Sequence, residues 1–290
     1  MSVYQQIKDR FIMRNAPEDW AEYRDQLTEL LAGLVEEACI QTPDDPTPGR
    51  VMFVGAGRCN DFDLRRITAS SEHVILLDID KEALKEAVSD LPEELRTKAE
   101  WRAASVTGIN EDDLDCFCND MLTFARSSGT ELTLESFRRQ LLTRLAGLED
   151  KLVRKAEDLN GILREASADI LVCCGVCSQL FSSLSLFIRS LLYSLSEILP
   201  DTDALEGEVN ARIRTMDDLV IPVINRALCK AARKVIVFGN EYMPGRPVEG
   251  AKQCIEDVRM HLRPQEIHLM WNFNREGGIT YDMLIQICRL

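Results

Sequence analysis

Residues 51–84, VMFVGAGRCNDFDLRRITASSEHVILLDIDKEAL, constrain the fold more than any other stretch of this chain. Residues 51–54 are all apolar, which fits a strand buried on both faces, as in parallel sheets. Gly55, Ala56 and Gly57 follow at once. Glycine there permits a tight turn and lets a ligand come close to bare backbone. Asn60 is a good N-cap, so a helix is expected to start near it, with free N–H groups pointing back at the turn. A second apolar run, 73–77, ends in Asp78. Strand, glycine turn, helix, strand and acid, in that order, hold a nucleoside at the carboxyl ends of parallel strands.

The kind of nucleoside follows from what the turn lacks. A dinucleotide fingerprint needs a third glycine three residues after Gly57, and that position is Asn60. A phosphate-cradling loop needs a Gly-Lys-Ser/Thr ending, and none follows. With the glycine turn kept and the diphosphate-specific parts missing, the chain resembles the class I S-adenosylmethionine-dependent methyltransferases. Gly55-Ala56-Gly57 matches their first motif and Leu77-Asp78-Ile79 their second, the acid standing 21 residues after Gly57. The resemblance implies a Rossmann-like α/β fold: a seven-stranded, mostly parallel sheet whose last strand is antiparallel. It also implies that Asp78 holds the ribose hydroxyls, that Ile79 lies against the adenine, and that the glycine turn faces the methionine part of the cofactor.

Length and charge set outer bounds. A chain of 290 residues can bury a substantial core in one large domain or two small ones. A net charge of −14 disfavours a nucleic-acid partner, because phosphate binding rests on Lys and Arg. No run of about 18 apolar residues is present, so no membrane span is expected. The first residues lack the apolar core of a signal peptide, which makes the cytoplasm the expected location. The ten cysteines then read as reduced thiols. Cys174 and Cys177 form a CxxC, but Cys116 and Cys118 have the wrong spacing for a second zinc pair, so no metal is expected.

Taken in order, residues 1–49 read as an N-terminal helical cap. Trp20, Tyr23, Leu27, Leu30, Leu31 and Leu34 recur at helical spacing, and residues 42–49 form a turn-rich linker. Tyr4, Arg14 and Tyr23 are the cap residues able to reach a ligand. Residues 50–290 form the core, interrupted by a helical insertion at about 110–167 that serves as a substrate lid or a dimer arm. A helix over 80–90 and a third strand near 100–104 come before it. By resemblance Ser105 and Val106 border the adenine, with Ser105 standing where the family often has an acid. Residues 168–180 read as the fourth strand and its exit. There the resemblance puts Cys174 and Gly175 beside the methionine end of the cofactor, and Ser178 and Gln179 near the transferred methyl group. Ser178 can equally cap the next helix. Residues 181–199 read as an apolar helix stopped by Pro200, and 203–233 as a helix or a broken pair around Pro222. A fifth strand over 234–238 leads into a loop, 239–245, whose Glu241 and Tyr242 are candidate catalytic residues, Glu241 as a general base. Residues 267–273 and 280–287 close the sheet as a hairpin.

No catalytic triad or serine nucleophile elbow is visible, and methyl transfer needs neither, since alignment and desolvation suffice. The Asx-Pro-Pro-aromatic motif of many amino methyltransferases is replaced by Cys173, Cys174, Gly175 and Val176. Three functions are therefore set against one another. The first is a methyltransferase acting on a small molecule with S-adenosylmethionine as cofactor. The second is an NAD-dependent oxidoreductase. The third is a non-catalytic cofactor-binding or assembly protein whose 110–167 helices are the working surface, with room for a homodimer.

Overall fold

The computed structural model describes residues 3–8, 16–40, 49–155, 159–164 and 166–290. Arg14 and linker residues 42–48 lie outside the described residues. The strands are β1 (Arg50–Val54), β2 (His73–Asp78), β3 (Ala99–Ala103), β4 (Ala168–Cys174), β5 (Ala232–Met243), β6 (Arg246–Pro247), β7 (Gln265–Asn274) and β8 (Ile279–Arg289). They form one sheet in the order β3-β2-β1-β4-β5-β8-β7, with β6 paired beside β5. The strands from β1 to β5 are mutually parallel. Strand β8 runs antiparallel to both its neighbours, so β7 points the same way as β5. Of the seven long strands, only the last is reversed. The eighth is a two-residue return of the chain onto β5.

Both faces of the sheet are covered, which is why its central strands are continuously apolar. Alternate residues serve opposite layers. Met52, Val54, Ile75, Leu77, Leu171, Ile236 and Phe238 pack under one helical layer. This layer contains α1 (Val3–Lys8), α7 (Glu111–Ser128), α8 (Leu134–Lys155), α9 (Leu159–Arg164), α10 (Ser182–Leu195), α11 (Thr202–Ala231) and α12 (Ala251–His261). Val51, Phe53, Val74, Leu76, Ile170 and Val172 face the other layer. Here lie α2 (Ala16–Asp19), α3 (Ala21–Ile40), α4 (Leu64–Ser70) and α5 (Lys81–Ser89), with the short α6 (Glu93–Arg96) beside β3.

The insertion belongs to this core. Phe137, Leu141, Leu145, Leu148 and Leu152, the apolar stripe of α8, are buried together with Val209, Ile213 and Met216 of α11. A stripe spent inside its own chain is not available to a second copy. In the same way Leu27, Leu31 and Val35 of α3 pack with Phe53, Phe62 and Trp271.

Three local expectations are corrected, and for residues 203–233 the first of the two stated alternatives is found. Helix α4 starts at Leu64, capped by Asp63, whose carboxylate accepts from the Arg66 N–H at 3.1 Å, and Asn60 stays in the preceding turn. Helix α10 ends at Leu195, five residues before Pro200. Helix α11 runs unbroken through Pro222. Proline there removes the donor to the carbonyl of exposed Asp218, where water can replace it, while Val220, Ile221 and Ile224 stay buried and hold the helix together. Finally, residues 239–243 are strand rather than loop. Pairing of Gly239, Asn240, Glu241 and Tyr242 with β8 overrides their weak strand propensity.

Candidate functional site

The strand order reverses direction between β1 and β4, the switch point at which open α/β sheets bind ligands. The expected residues gather at the carboxyl ends there. Gly55 and Gly57 adopt left-handed backbone, φ 72° and 49°. The N–H groups of Gly55 and Ala56 donate to the Leu77 carbonyl at 2.8 and 3.2 Å. Asp78 locks the bend: one carboxylate oxygen accepts from Gly57 N–H and the other from Asp80 N–H, each at 2.8 Å. A side chain added at Gly57 would meet no atom of the described residues within 4 Å, so among these residues the turn is open on that side. Beside Gly55 the space is filled, because a Cβ there would lie 2.3 Å from Val176 Cγ2. Gly55 therefore serves the packing of the β4 exit as well as the turn.

On the far side of the switch point, Gly175 turns the chain out of β4 at φ 67°, and its N–H donates to the Gly239 carbonyl at 2.9 Å. Gly239 is required by Cys174, whose Sγ would stand 2.6 Å from any Cβ placed there. Over Gly175 lies the carboxylate of Glu241, with Ser178 and Gln179 beside it. Glu241 is 4% exposed, and neither its Oε2 nor Ser178 Oγ finds a hydrogen-bond partner. Burial is the largest influence on the Glu241 carboxyl and pushes it above the usual carboxylate range.

Asp61, in the loop between β1 and α4, joins this group. Burial, and then the nearby Glu241, push its carboxyl up to about 7. Tyr23 of α3 is fully buried, and its phenol is raised first by burial and then by Cys174, Asp61 and Glu241. It stacks on Trp271 at 5.2 Å, within a cluster that also holds Trp20, Phe273 and Tyr281. Burial also raises the Cys174 thiol, so it is not a thiolate nucleophile.

The structure thus brings together Gly55, Ala56, Gly57, Asp78, Cys174, Gly175, Ser178, Gln179, Glu241 and Tyr23. Ile79 follows Asp78 at the strand end and is partly exposed. Ser105 is engaged locally: its hydroxyl lies 3.0 Å from that of Thr107, in a short chain of bonds that shapes the loop around Val106. Ser178 is not a helix cap, since α10 starts at Ser182 with Phe181 in the cap position. Tyr242 lies on the opposite sheet face from Glu241, beside His268 and Arg259. Tyr4 sits against α7, where its backbone N–H donates to Asp115. Sequence reasoning missed Asp61. The signal for it was the adjacent Phe62, which stacks on Phe53 at 4.0 Å and draws the loop inward.

Two hollows lie outside this constellation. One of about 500 Å³ is lined by Asp63, Arg66 and Glu94, the other of about 260 Å³ by Asn225, Cys229 and Asp257. Neither is lined by a residue of this constellation. Among the described residues, no three His, Cys, Asp or Glu side chains converge as metal ligands do.

No protein-family model matches the sequence, and no curated protein matches it. Several solved structures are similar. WbdD, a bifunctional kinase-methyltransferase, has a TM-score of 0.49 at 9% identity, covering 98% of this chain and 47% of its own. This chain therefore spans about half the length of WbdD. Magnesium protoporphyrin IX methyltransferase from Synechocystis PCC 6803 has a TM-score of 0.42 at 9% identity, covering 98% of this chain and 89% of its own. The O-methyltransferase TomG from Streptomyces achromogenes has a TM-score of 0.42 at 10% identity, covering 99% and 95%. By its own strand order, with the last strand alone reversed among the long ones, this chain has the Rossmann-like fold of the class I methyltransferases that its motifs resemble.

Proposed function

We propose that this chain transfers a methyl group from S-adenosylmethionine to a small-molecule acceptor. The observation that carries the reading is the open bend at Gly57, closed by the Asp78 carboxylate at the β1/β4 switch point. Both features suit a nucleoside: bare backbone that a ligand can approach, and an acid at the end of the next strand to receive sugar hydroxyls. Asp78 and Gly57 would hold the sugar side, Ile79 the base, and Cys174 and Gly175 the methionine end.

When bound, the sulfonium supplies an electrophilic methyl carbon. The chain's own work is alignment and exclusion of water. Tyr23, Trp271 and the buried end of β5 keep the crevice dry on the α3 side. Glu241, desolvated and with one oxygen short of a partner among the described residues, is the group placed to accept a proton from the acceptor. The chain's net charge of −14 supports a small acceptor over a nucleic acid.

The test is twofold. Isothermal titration with S-adenosylhomocysteine should give saturable binding that Asp78→Ala abolishes. Transfer of labelled methyl from S-adenosylmethionine to pooled small molecules should depend on Glu241. No heat and no thermal shift with either nucleoside would refute the reading.

A further inference from the structure

Helix α11 ends where β5 begins, and α12 ends a short turn before β7. Both strands run parallel to β4, so the last turns of these helices stand at the amino end of the sheet, opposite the crevice. The hollow of about 260 Å³ lies between them. Its walls are apolar. Val258 is buried, Cys229 and Leu262 are half-buried, and the methylene stems of Arg226 and Lys230 complete the lining. The polar groups inside are already engaged. Asn225, 3% exposed, donates to Asp257 Oδ2 at 2.8 Å and accepts from the Cys254 thiol at 3.7 Å. The other Asp257 oxygen lies 3.3 Å from His261 Nδ1. The rim is cationic. Arg226 and Lys230 stand four residues apart, hence on one side of α11, and both are exposed. Among the described residues neither forms an ion pair. Like charges at this spacing destabilise a helix unless a counter-charge lies beside them. The helix dipole accounts for Lys230 and His261, which stand in last turns, but not for Arg226, a turn earlier.

We propose that this hollow binds a small apolar carboxylate, an aryl or short-chain acid, with its apolar body between α11 and α12 and its carboxylate at Arg226 and Lys230. The volume is below the roughly 300–1,000 Å³ of sites for drug-sized ligands, so it suits one ring or a short acyl chain and is too small for a whole nucleoside. An ammonium would meet two like charges, and an uncharged ligand would leave both uncompensated. A divalent cation takes six or more oxygens, and the one acid of the lining, Asp257, is already bonded to Asn225. A carboxylate answers the rim, and an apolar body answers the walls. The site lies apart from the crevice, so the inference does not rest on the methyl-transfer reading.

The experiment is isothermal titration of the full chain with benzoate, benzyl alcohol and benzylamine. Expected is binding of benzoate roughly tenfold tighter than of the other two. Arg226→Ala combined with Lys230→Ala should remove that preference, and Cys229→Trp, which fills the hollow, should abolish benzoate binding. Thermal melts establish that each variant is folded, and the two exposed positions keep the test decisive should Cys229→Trp not fold. A second measurement needs no variant. The Cys229 thiol lines the hollow, and burial, then Asp257 and Cys254, push it up to about 11, so iodoacetamide alkylates it slowly and its rate is easily followed by mass spectrometry. Benzoate at about ten times its Kd should slow that alkylation roughly tenfold and leave the exposed Cys116 unaffected. The site is overturned by no heat from any probe, by benzoate binding no tighter than benzyl alcohol or benzylamine, or by a preference kept in the Arg226 and Lys230 double variant. Protection of Cys116 equal to that of Cys229 overturns it as well. Binding of S-adenosylhomocysteine, or its failure, bears on the crevice alone.

Discussion

The two ends of the sheet treat a buried acid in opposite ways. At the amino end of β4, Asp169 is 9% exposed and fully engaged. It accepts from the Arg50 N–H at 2.9 Å and from Arg233 at 3.1 Å, and lies 3.8 Å from Lys234. At the carboxyl end of β5, Glu241 is more deeply buried, yet one of its oxygens has no partner. The first acid staples three strand starts together. The second is held at a cost to the fold, and groups of this kind concentrate where a ligand is to be met. On the proposed reading, stability and function fall at opposite ends of the same sheet.

Substitutions can break or sharpen that contrast. The largest expected effect is from Asp169→Ala, which strands the Arg50 N–H and two cations. With Arg233 half exposed and screened, the loss should be about 2–3 kcal/mol by chemical denaturation, with nucleoside binding unchanged in what remains folded. Glu241→Gln should behave in the opposite way. Neutralising a buried acid with one oxygen unpartnered among the described residues should leave the melting temperature unchanged or raise it by about 2 °C, while methyl transfer drops by roughly tenfold or more. If Glu241→Gln melts well below wild type, the acid is structural and the contrast is wrong.

A smaller effect is expected in the pH dependence of stability. Asp61 moves from its ordinary 3.8 up to about 7 on folding. Between those values the folded chain keeps a proton that the unfolded chain has lost, so stability falls as pH rises through this window and levels off above it. Asp217, raised to about 7 by burial and by Asp218 and Glu249, adds the same sign from the helical layer. Denaturation midpoints between about pH 4 and 8 should therefore slope downward, with Asp61→Asn and Asp217→Asn each flattening part of the slope. Smallest is the exposed pair of Arg289 and Glu37, 3.0 Å apart, whose removal should leave the denaturation midpoint nearly unchanged.

The half of the site built from β1 and β2 was legible in the sequence because its chemistry is local. Gly55, Gly57 and Asp78 lie within one strand–turn–strand unit, and the bond from Gly57 to Asp78 needs no other part of the chain. The other half depends on contacts distant in sequence. Glu241 reads as a loop residue until β8 pairs with it, and nothing near it in sequence says that Tyr23 and Asp61 will face it. The apolar stripe of α8 was visible, but its partner, α11, lies some sixty residues on, so lid, arm and core could not be told apart by periodicity. Pro222 left one helix and a broken pair both open for a related reason: burial of its neighbours, which outweighs a local breaker, is not visible locally.

The most direct measurement is titration of S-adenosylhomocysteine into the wild type, Asp78→Ala and Glu241→Gln. Expected is saturable binding by the wild type and by Glu241→Gln, and a loss of about a hundredfold or more in Asp78→Ala, as two hydrogen bonds to a charged acceptor would give. Binding by Asp78→Ala as tight as wild type, or none by any of the three, would contradict the assignment of the bend and its acid to a nucleoside.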